Sequence, residues 1–154
     1  VGMKKTIIFL IVFLTFHCFS DVINKYPVGD ITKKFLLEQY DEFAQKYNKF
    51  SFERPTYIET EDITVKVLFG TWCHDSKREV PKMLKIFEAY GLEDKSISLV
   101  AVNPEKNEPI TTINEFNLEF TPTFIFFRNG EEIGRIVEKP NQSLLEDFKL
   151  IISS

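Results

Sequence analysis

The hydrophobic pattern is densest over residues 65–69, where Val65, Val67, Leu68 and Phe69 are all apolar and β-prone. Such a run suits a strand covered on both faces. Gly70 and Thr71 break it, and the period then changes. Val80, Met83, Leu84 and Phe87 fall at i, i+3, i+4 and i+7, which predicts a helix with one apolar face. Gly91 offers a C-terminal stop. Strand, tight turn and helix follow one another, and Cys73 stands at the joint.

The same reading extends in both directions. Leu36, Tyr40, Phe43 and Tyr47 sit at helical spacing behind Asp30, a residue type favoured at helix starts, and predict a helix over 31–47. Residues 48–55 are irregular, and 56–61 suit an edge strand. Tyr26, Tyr40, Tyr47, Phe50, Phe52 and Tyr57 are expected to pack in the core, with a groove lining as the other reading. Downstream, 96–102 reads as a strand, 103–109 as a polar loop with two prolines, and 110–116 as a short helix. Strands over 123–127 and 132–137 flank an Asn129-Gly130 hairpin turn, and 144–152 is an amphipathic helix.

A chain of 154 residues, 44% hydrophobic and with 16 phenylalanines, can fill the core of one domain. Its formal charge of −4 argues against a nucleic-acid partner. Residues 1–20 read as a signal peptide. Lys4 and Lys5 precede an apolar stretch over 6–16, too short for a comfortable membrane span, and Cys18-Phe19-Ser20 suits cleavage before Asp21. The expected location is therefore periplasmic or otherwise extracytoplasmic. A membrane is involved only if the signal segment stays uncleaved as an anchor. Lipidation at Cys18 would need a small residue just before it, and His17 stands there. Cleavage would remove Lys4 and Lys5 from the 19 basic residues, leaving 17 against 23 acidic ones, a net −6. It would also leave Cys73 as the one cysteine. Such an exported chain has no internal disulfide, and its thiol is expected to be reactive or to pair with another chain. A buried, inert thiol is the competing reading.

The start of a helix is where a reactive cysteine is placed, because unpaired N–H groups and the helix dipole favour a thiolate. A protonated His74, with Lys77 and Arg78 one turn later, would add to this, while Asp75 would oppose it. The expectation is an acid-shifted Cys73. His74 and Asp75 read equally as solvated side chains of an exposed turn. No metal site is expected: adjacent ligand types at a helix start rarely converge on one ion, and the cleaved chain has no further Cys or His. No cofactor is expected either.

Trp72-Cys73-His74-Asp75-Ser76 resembles the Trp-Cys-x-x-Cys site of the thioredoxin family, with serine for the second cysteine. Pro81, eight residues after Cys73, matches the family's helix-kinking proline. Phe120-Thr121-Pro122-Thr123 and the hairpin after it resemble the segment that carries the family's cis-proline. The resemblance covers about 63–152. It implies an α/β thioredoxin-like fold: a mixed central sheet flanked by helices, here with an extra N-terminal helix. The implied division is a signal peptide over 1–20, a helical extension over 21–62 and a thioredoxin-like domain over 63–154.

The resemblance also implies a chemistry, and two departures limit it. Cys73 can attack a disulfide, but Ser76 cannot resolve the mixed disulfide that results. The Ser76 hydroxyl is expected to donate a hydrogen bond to the Cys73 sulfur. The buried aspartate that the family carries six residues before the first cysteine is Val67 here. Catalysis is thus expected from Cys73 and Ser76, with substrate binding by Trp72, His74, Thr121 and Pro122. The first functional reading is a monothiol thiol–disulfide oxidoreductase or isomerase acting on exported proteins, with protein thiols or disulfides and glutathione as partners. The second is a binding module without turnover. Peroxidase chemistry is disfavoured because Gly70, not Thr or Ser, stands three residues before Cys73.

Overall fold

Residues 25–53 and 57–154 are described by a computed structural model, so the signal peptide expected over 1–20 lies outside the described residues. The chain runs β1 (Gly29–Ile31), α1 (Lys33–Gln39), α2 (Asp41–Lys49), β2 (Ile63–Phe69), α3 (His74–Ala89), a 3₁₀ turn (Asp94–Ser96), β3 (Ile97–Ala101), α4 (Ile110–Phe116), β4 (Thr123–Arg128), β5 (Glu131–Val137) and α5 (Leu144–Ile152). The strands form one sheet in the order β1-β3-β2-β4-β5. β2 and β3 run parallel, with Val67 opposite Leu99, and the other neighbours are antiparallel. This is the mixed sheet flanked by helices that the sequence led us to expect.

The unbroken apolar run of β2 has its reason in burial on both faces. Successive side chains of a strand point to opposite sides. Val65, Val67 and Phe69 enter the larger core with Leu99, Phe124 and Phe126, against Val80, Met83 and Phe87 of α3 and Phe148 of α5. Leu68 enters the smaller core with Val100 and Ile125, covered by Phe116 of α4 and Leu118. Phe87, Phe126 and Phe148 meet with ring centroids 5.8 to 6.1 Å apart. Aromatic pairs at such distances add roughly 0.5–1.5 kcal/mol each beyond their area burial.

The N-terminal third departs from the single helix expected over 31–47. Ile31 belongs to β1, and Thr32 rather than Asp30 caps α1, its hydroxyl accepting the Phe35 N–H at 3.0 Å. Tyr40 is extended (φ −127°, ψ 93°) and separates α1 from α2. Its carbonyl accepts N–H groups from both Phe43 and Ala44, so the break is also the start of the next helix. Residues 57–60, expected to form part of an edge strand, are irregular. Tyr40, Tyr47, Phe50 and Phe52 pack against the core as expected, but Tyr57 is 84% exposed.

Tyr90 caps the C-terminal end of α3, and its ring packs on Phe148 at 5.1 Å. Its hydroxyl is buried without a hydrogen-bond partner among the described residues. Burial also pushes its ionisation above the usual tyrosine value. A group whose folded pKa is raised contributes stability below its unfolded value, about 10, and that contribution is lost as pH rises beyond it. Tyr90→Phe removes the orphaned hydroxyl. It is expected to stabilise the fold by about 1 kcal/mol at neutral pH. Urea unfolding at pH 7 and 10.5 checks this, with the variant's advantage expected to widen at the higher pH. A destabilised variant would show that the hydroxyl has a partner after all.

Candidate active site

The joint between β2 and α3 is held by backbone and side-chain hydrogen bonds of neighbouring segments. The Cys73 N–H donates to the Gly70 carbonyl at 3.0 Å, closing the tight turn, and the Val102 N–H donates to the Phe69 carbonyl at 2.8 Å. Cys73 is the N-cap of α3, with extended backbone, and its own carbonyl accepts the Lys77 N–H. Its sulfur makes no cap bond. Instead the Cys73 thiol donates to the Thr121 carbonyl, with Sγ and oxygen 3.2 Å apart.

Thr121 and Pro122 are joined by a cis peptide bond, as the resemblance implied, and both are buried. Glu108 and Pro109 are joined by a second one. The Thr123 hydroxyl donates to the Phe120 carbonyl at 2.7 Å, and the Glu138 N–H donates to the Pro122 carbonyl at 2.7 Å. The loop that faces the thiol is therefore tied to both β4 and the end of β5.

Trp72 folds back over the turn. Its indole N–H donates to the Val102 carbonyl at 2.9 Å. Its ring covers Gly70 so closely that a Cβ on Gly70 would lie 2.4 Å from Trp72 Cε2. Trp72, Cys73, Thr121 and Pro122 thus share one site. His74 is exposed on the first turn of α3.

Ser76 departs from its expected role. It is fully buried, and its hydroxyl accepts the Gly70 N–H at 3.2 Å rather than donating to the sulfur. The geometry makes it a brace beneath the turn that carries Trp72 and Cys73. The Thr71 hydroxyl is buried in the same turn without a partner among the described residues.

Lys77, Arg78 and Asp75, whose charges were expected to act on the thiol, are ion-paired. Lys77 meets Glu42 of α2 at 2.5 Å, and the hydrogen bond from Lys77 holds the Glu42 carboxyl below the usual carboxylate range. Arg78 bonds Glu79 and also meets Asp75 at 2.6 Å. These partners raise the Arg78 guanidinium, Glu79 foremost. Val67 is buried among apolar side chains in the larger core. No group of three or more potential metal ligands gathers among the described residues.

Three features of the site were not foreseen: the space at Gly70, the Val102 carbonyl and the ring of Phe120 beside Thr121. Only the last had a signal, since Phe120 stands directly before Thr121-Pro122 in the sequence.

A family model described as thioredoxin matches residues 43–149, more than half of the chain. Thioredoxin 2 of Plasmodium berghei (strain Anka) is 29% identical over 138 residues, covering 82% of this chain and 85% of that protein. Chloroplastic thioredoxin Y of Oryza sativa subsp. japonica is 30% identical over 103 residues, covering 67% of this chain and 51% of that protein. Several such relatives are spanned only in part: mitochondrial thioredoxin-2 of Schizosaccharomyces pombe (strain 972 / ATCC 24843) is 32% identical, and the match covers 53% of this chain and 57% of that protein. A solved malarial protein aligns with a TM-score of 0.45 at 26% identity, covering 60% of this chain and 96% of that one.

Proposed function

The chain belongs to the thioredoxin family, and from that premise we propose that it is a monothiol thiol–disulfide oxidoreductase working through Cys73. The observation that carries this reading is the Cys73 sulfur 3.2 Å from the Thr121 carbonyl, at the head of α3. Ser76 stands where the family's second thiol would be. In the first step the Cys73 thiolate attacks one sulfur of a protein–glutathione disulfide. The S–S bond breaks, the protein leaves as a thiolate, and Cys73 holds the glutathionyl group. Glutathione then attacks that mixed disulfide, Cys73 leaves as a thiolate, and oxidised glutathione carries the two oxidising equivalents away.

The cis-proline loop has a part in this cycle. While Cys73 is a thiol, the Thr121 carbonyl accepts its S–H. Once the sulfur is in a mixed disulfide that donor is gone, and the carbonyl is open to an N–H of the bound segment. Trp72 and Pro122 would wall the same segment. We place the activity outside the cytoplasm on the pattern of residues 1–20. An intact mass of the protein from its native compartment that still included residues 1–20 would overturn cleavage.

One observation favours a binding module without turnover. The buried Ser76 hydroxyl accepts the Gly70 N–H, and no hydrogen bond joins it to the Cys73 sulfur among the described residues. Release of oxidised glutathione from a glutathionylated protein, followed with glutathione as the sole added thiol, separates the two readings. Catalytic release that is lost in Cys73→Ser is expected. Stoichiometric capture at Cys73 without release would leave the binding module.

A further inference from the structure

The two walls beside the thiol differ. Residues 102–121 leave β3, form a bonded loop and α4, and return to the cis peptide. Both ends touch the site: Val102 holds Trp72, and Thr121 holds Cys73. Asn103 fixes the loop, its side-chain oxygen accepting the N–H groups of Asn107 and Glu108 at 3.0 Å each. Lys106 reaches across to donate to the Glu119 carbonyl at 2.6 Å and lies 5.5 Å from the centroid of the Phe120 ring. Phe120 is 48% exposed although it directly precedes Thr121. This half-exposed ring directly precedes the residue whose carbonyl accepts the Cys73 S–H, so it offers apolar area to a segment that approaches that sulfur.

Charge indicates what covers it. On the α3 side the charges cancel: Lys77 with Glu42, and Arg78 and Lys82 with Asp75 and Glu79. Beyond Pro122, Glu138 and Lys139 are one of each sign. The stretch 103–120 instead carries Glu105, Glu108, Glu115 and Glu119 against Lys106. None of these four carboxylates is ion-paired among the described residues. Lys25 lines the same recess as Glu105 and Glu108. Counting it and Lys66, whose ammonium lies 5.1 Å from the centroid of the Phe116 ring, four glutamates stand against three lysines, and the wall keeps a net charge of −1.

We propose that this wall, centred on Phe120, selects the partner of Cys73: a protein segment with a lysine or arginine and an apolar side chain beside its disulfide. The inference rests on the exchange chemistry above. The apolar side chain covers Phe120, and the cation approaches the unpaired carboxylates. Charges of one sign at a site raise the encounter rate of the opposite sign, more so at low salt.

Methanethiosulfonates of different charge test this. The Cys73 thiolate attacks the sulfenyl sulfur, a disulfide forms, and methanesulfinate leaves with the electron pair. Rates are taken with trimethylammonioethyl and sulfonatoethyl reagents, each normalised to its rate with the uncharged thiol 2-mercaptoethanol. At an ionic strength of about 0.01 M the cationic reagent is expected to be favoured about fourfold, and the preference is expected to vanish near 1 M. Glu105→Gln, Glu108→Gln and Glu119→Gln together are expected to remove most of it. Glu61→Gln with Glu131→Gln, at the far end of β2 and roughly 20 Å away, is expected to leave it. A peptide disulfide flanked by Lys and Phe is expected to react severalfold faster than one flanked by Lys and Ser, and Phe120→Ala to abolish that difference. A cationic preference absent from the wild type, or indifferent to the triple substitution, overturns the inference, as does an unchanged peptide ratio in Phe120→Ala. A Cys73 that uncharged methyl methanethiosulfonate does not modify overturns the exchange chemistry instead.

Discussion

Replacing Gly70 by alanine is expected to destabilise the protein by about 2–4 kcal/mol, the sum of an overpacking cost and a lost hydrogen bond. That is a large share of the 5–15 kcal/mol typical of a domain. The cause is space rather than backbone conformation, because Gly70 is not among the glycines with positive φ. A Cβ there would lie 2.4 to 2.8 Å from three atoms of the Trp72 ring. The ring must leave its seat, and the Trp72 N–H then loses the Val102 carbonyl. Trp72 is the one tryptophan of the chain, so its fluorescence reports the move without ambiguity. A red-shifted native emission is expected together with the lower denaturation midpoint. Gly134→Ala is the comparison: its Cβ would meet Ile151 Cγ2 at 3.0 Å and Cγ1 at 3.2 Å, so the helix-borne Ile151 must give by only a few tenths of an ångström, and a smaller loss with unchanged emission is expected. A Gly70→Ala protein with unchanged emission and stability would show that the indole has room.

Replacing Ser76 by cysteine is expected to shorten the life of a Cys73 mixed disulfide by at least about a hundredfold in the absence of small thiols. The estimate reflects the advantage of an intramolecular nucleophile over a dilute external one. Residues three apart on a helix are neighbours on one face, so the new thiol would lie beside the disulfide and displace the partner. The exchange has a structural cost, since Ser76 is fully buried and its hydroxyl accepts the Gly70 N–H. Sulfur is a weaker acceptor, and a loss of about 1 kcal/mol is expected. Resolution should remain slower than in family members with a buried aspartate, because Val67 occupies that position within an apolar core. Mass spectrometry of a trapped adduct over time decides the matter. Equal lifetimes in wild type and Ser76→Cys would sink the claim that a missing resolving thiol limits this site.

Most of the architecture was legible because it depends on short-range pattern. The limits of α4 and α5 follow from the periodicity of 110–116 and 144–152, and β2 from its unbroken apolar run. The break at Tyr40 was not legible. Leu36, Tyr40, Phe43 and Tyr47 keep helical spacing across it, and spacing alone does not register one residue turning extended. β1, three residues long, is too short for a periodic signal and exists through its pairing with β3. The site divides the same way. The position of Cys73 at the helix start came from local pattern, and the cis bond before Pro122 from the family resemblance. The fates of Lys77 and Ser76 did not, because their partners, Glu42 and the Gly70 N–H, are brought to them by the packing of α2 and by the turn. A sequence states which side chains can donate and accept, while the fold chooses among them.

The small strand β1 has a consequence for how this protein could fail. β3 carries Leu99, Val100 and Ala101, all buried, with β2 on one side and only β1 on the other. A fragment beginning at residue 63 would keep Cys73, Thr121 and Pro122 but would bare one flank of that strand. Open, apolar strand flanks recruit other chains through their unpaired N–H and C=O groups. Such a fragment would self-associate strand to strand, and added reductant would not disperse it. Clumping through Cys73 disulfides, by contrast, would dissolve in reductant, so the two kinds of self-association can be told apart in a single tube.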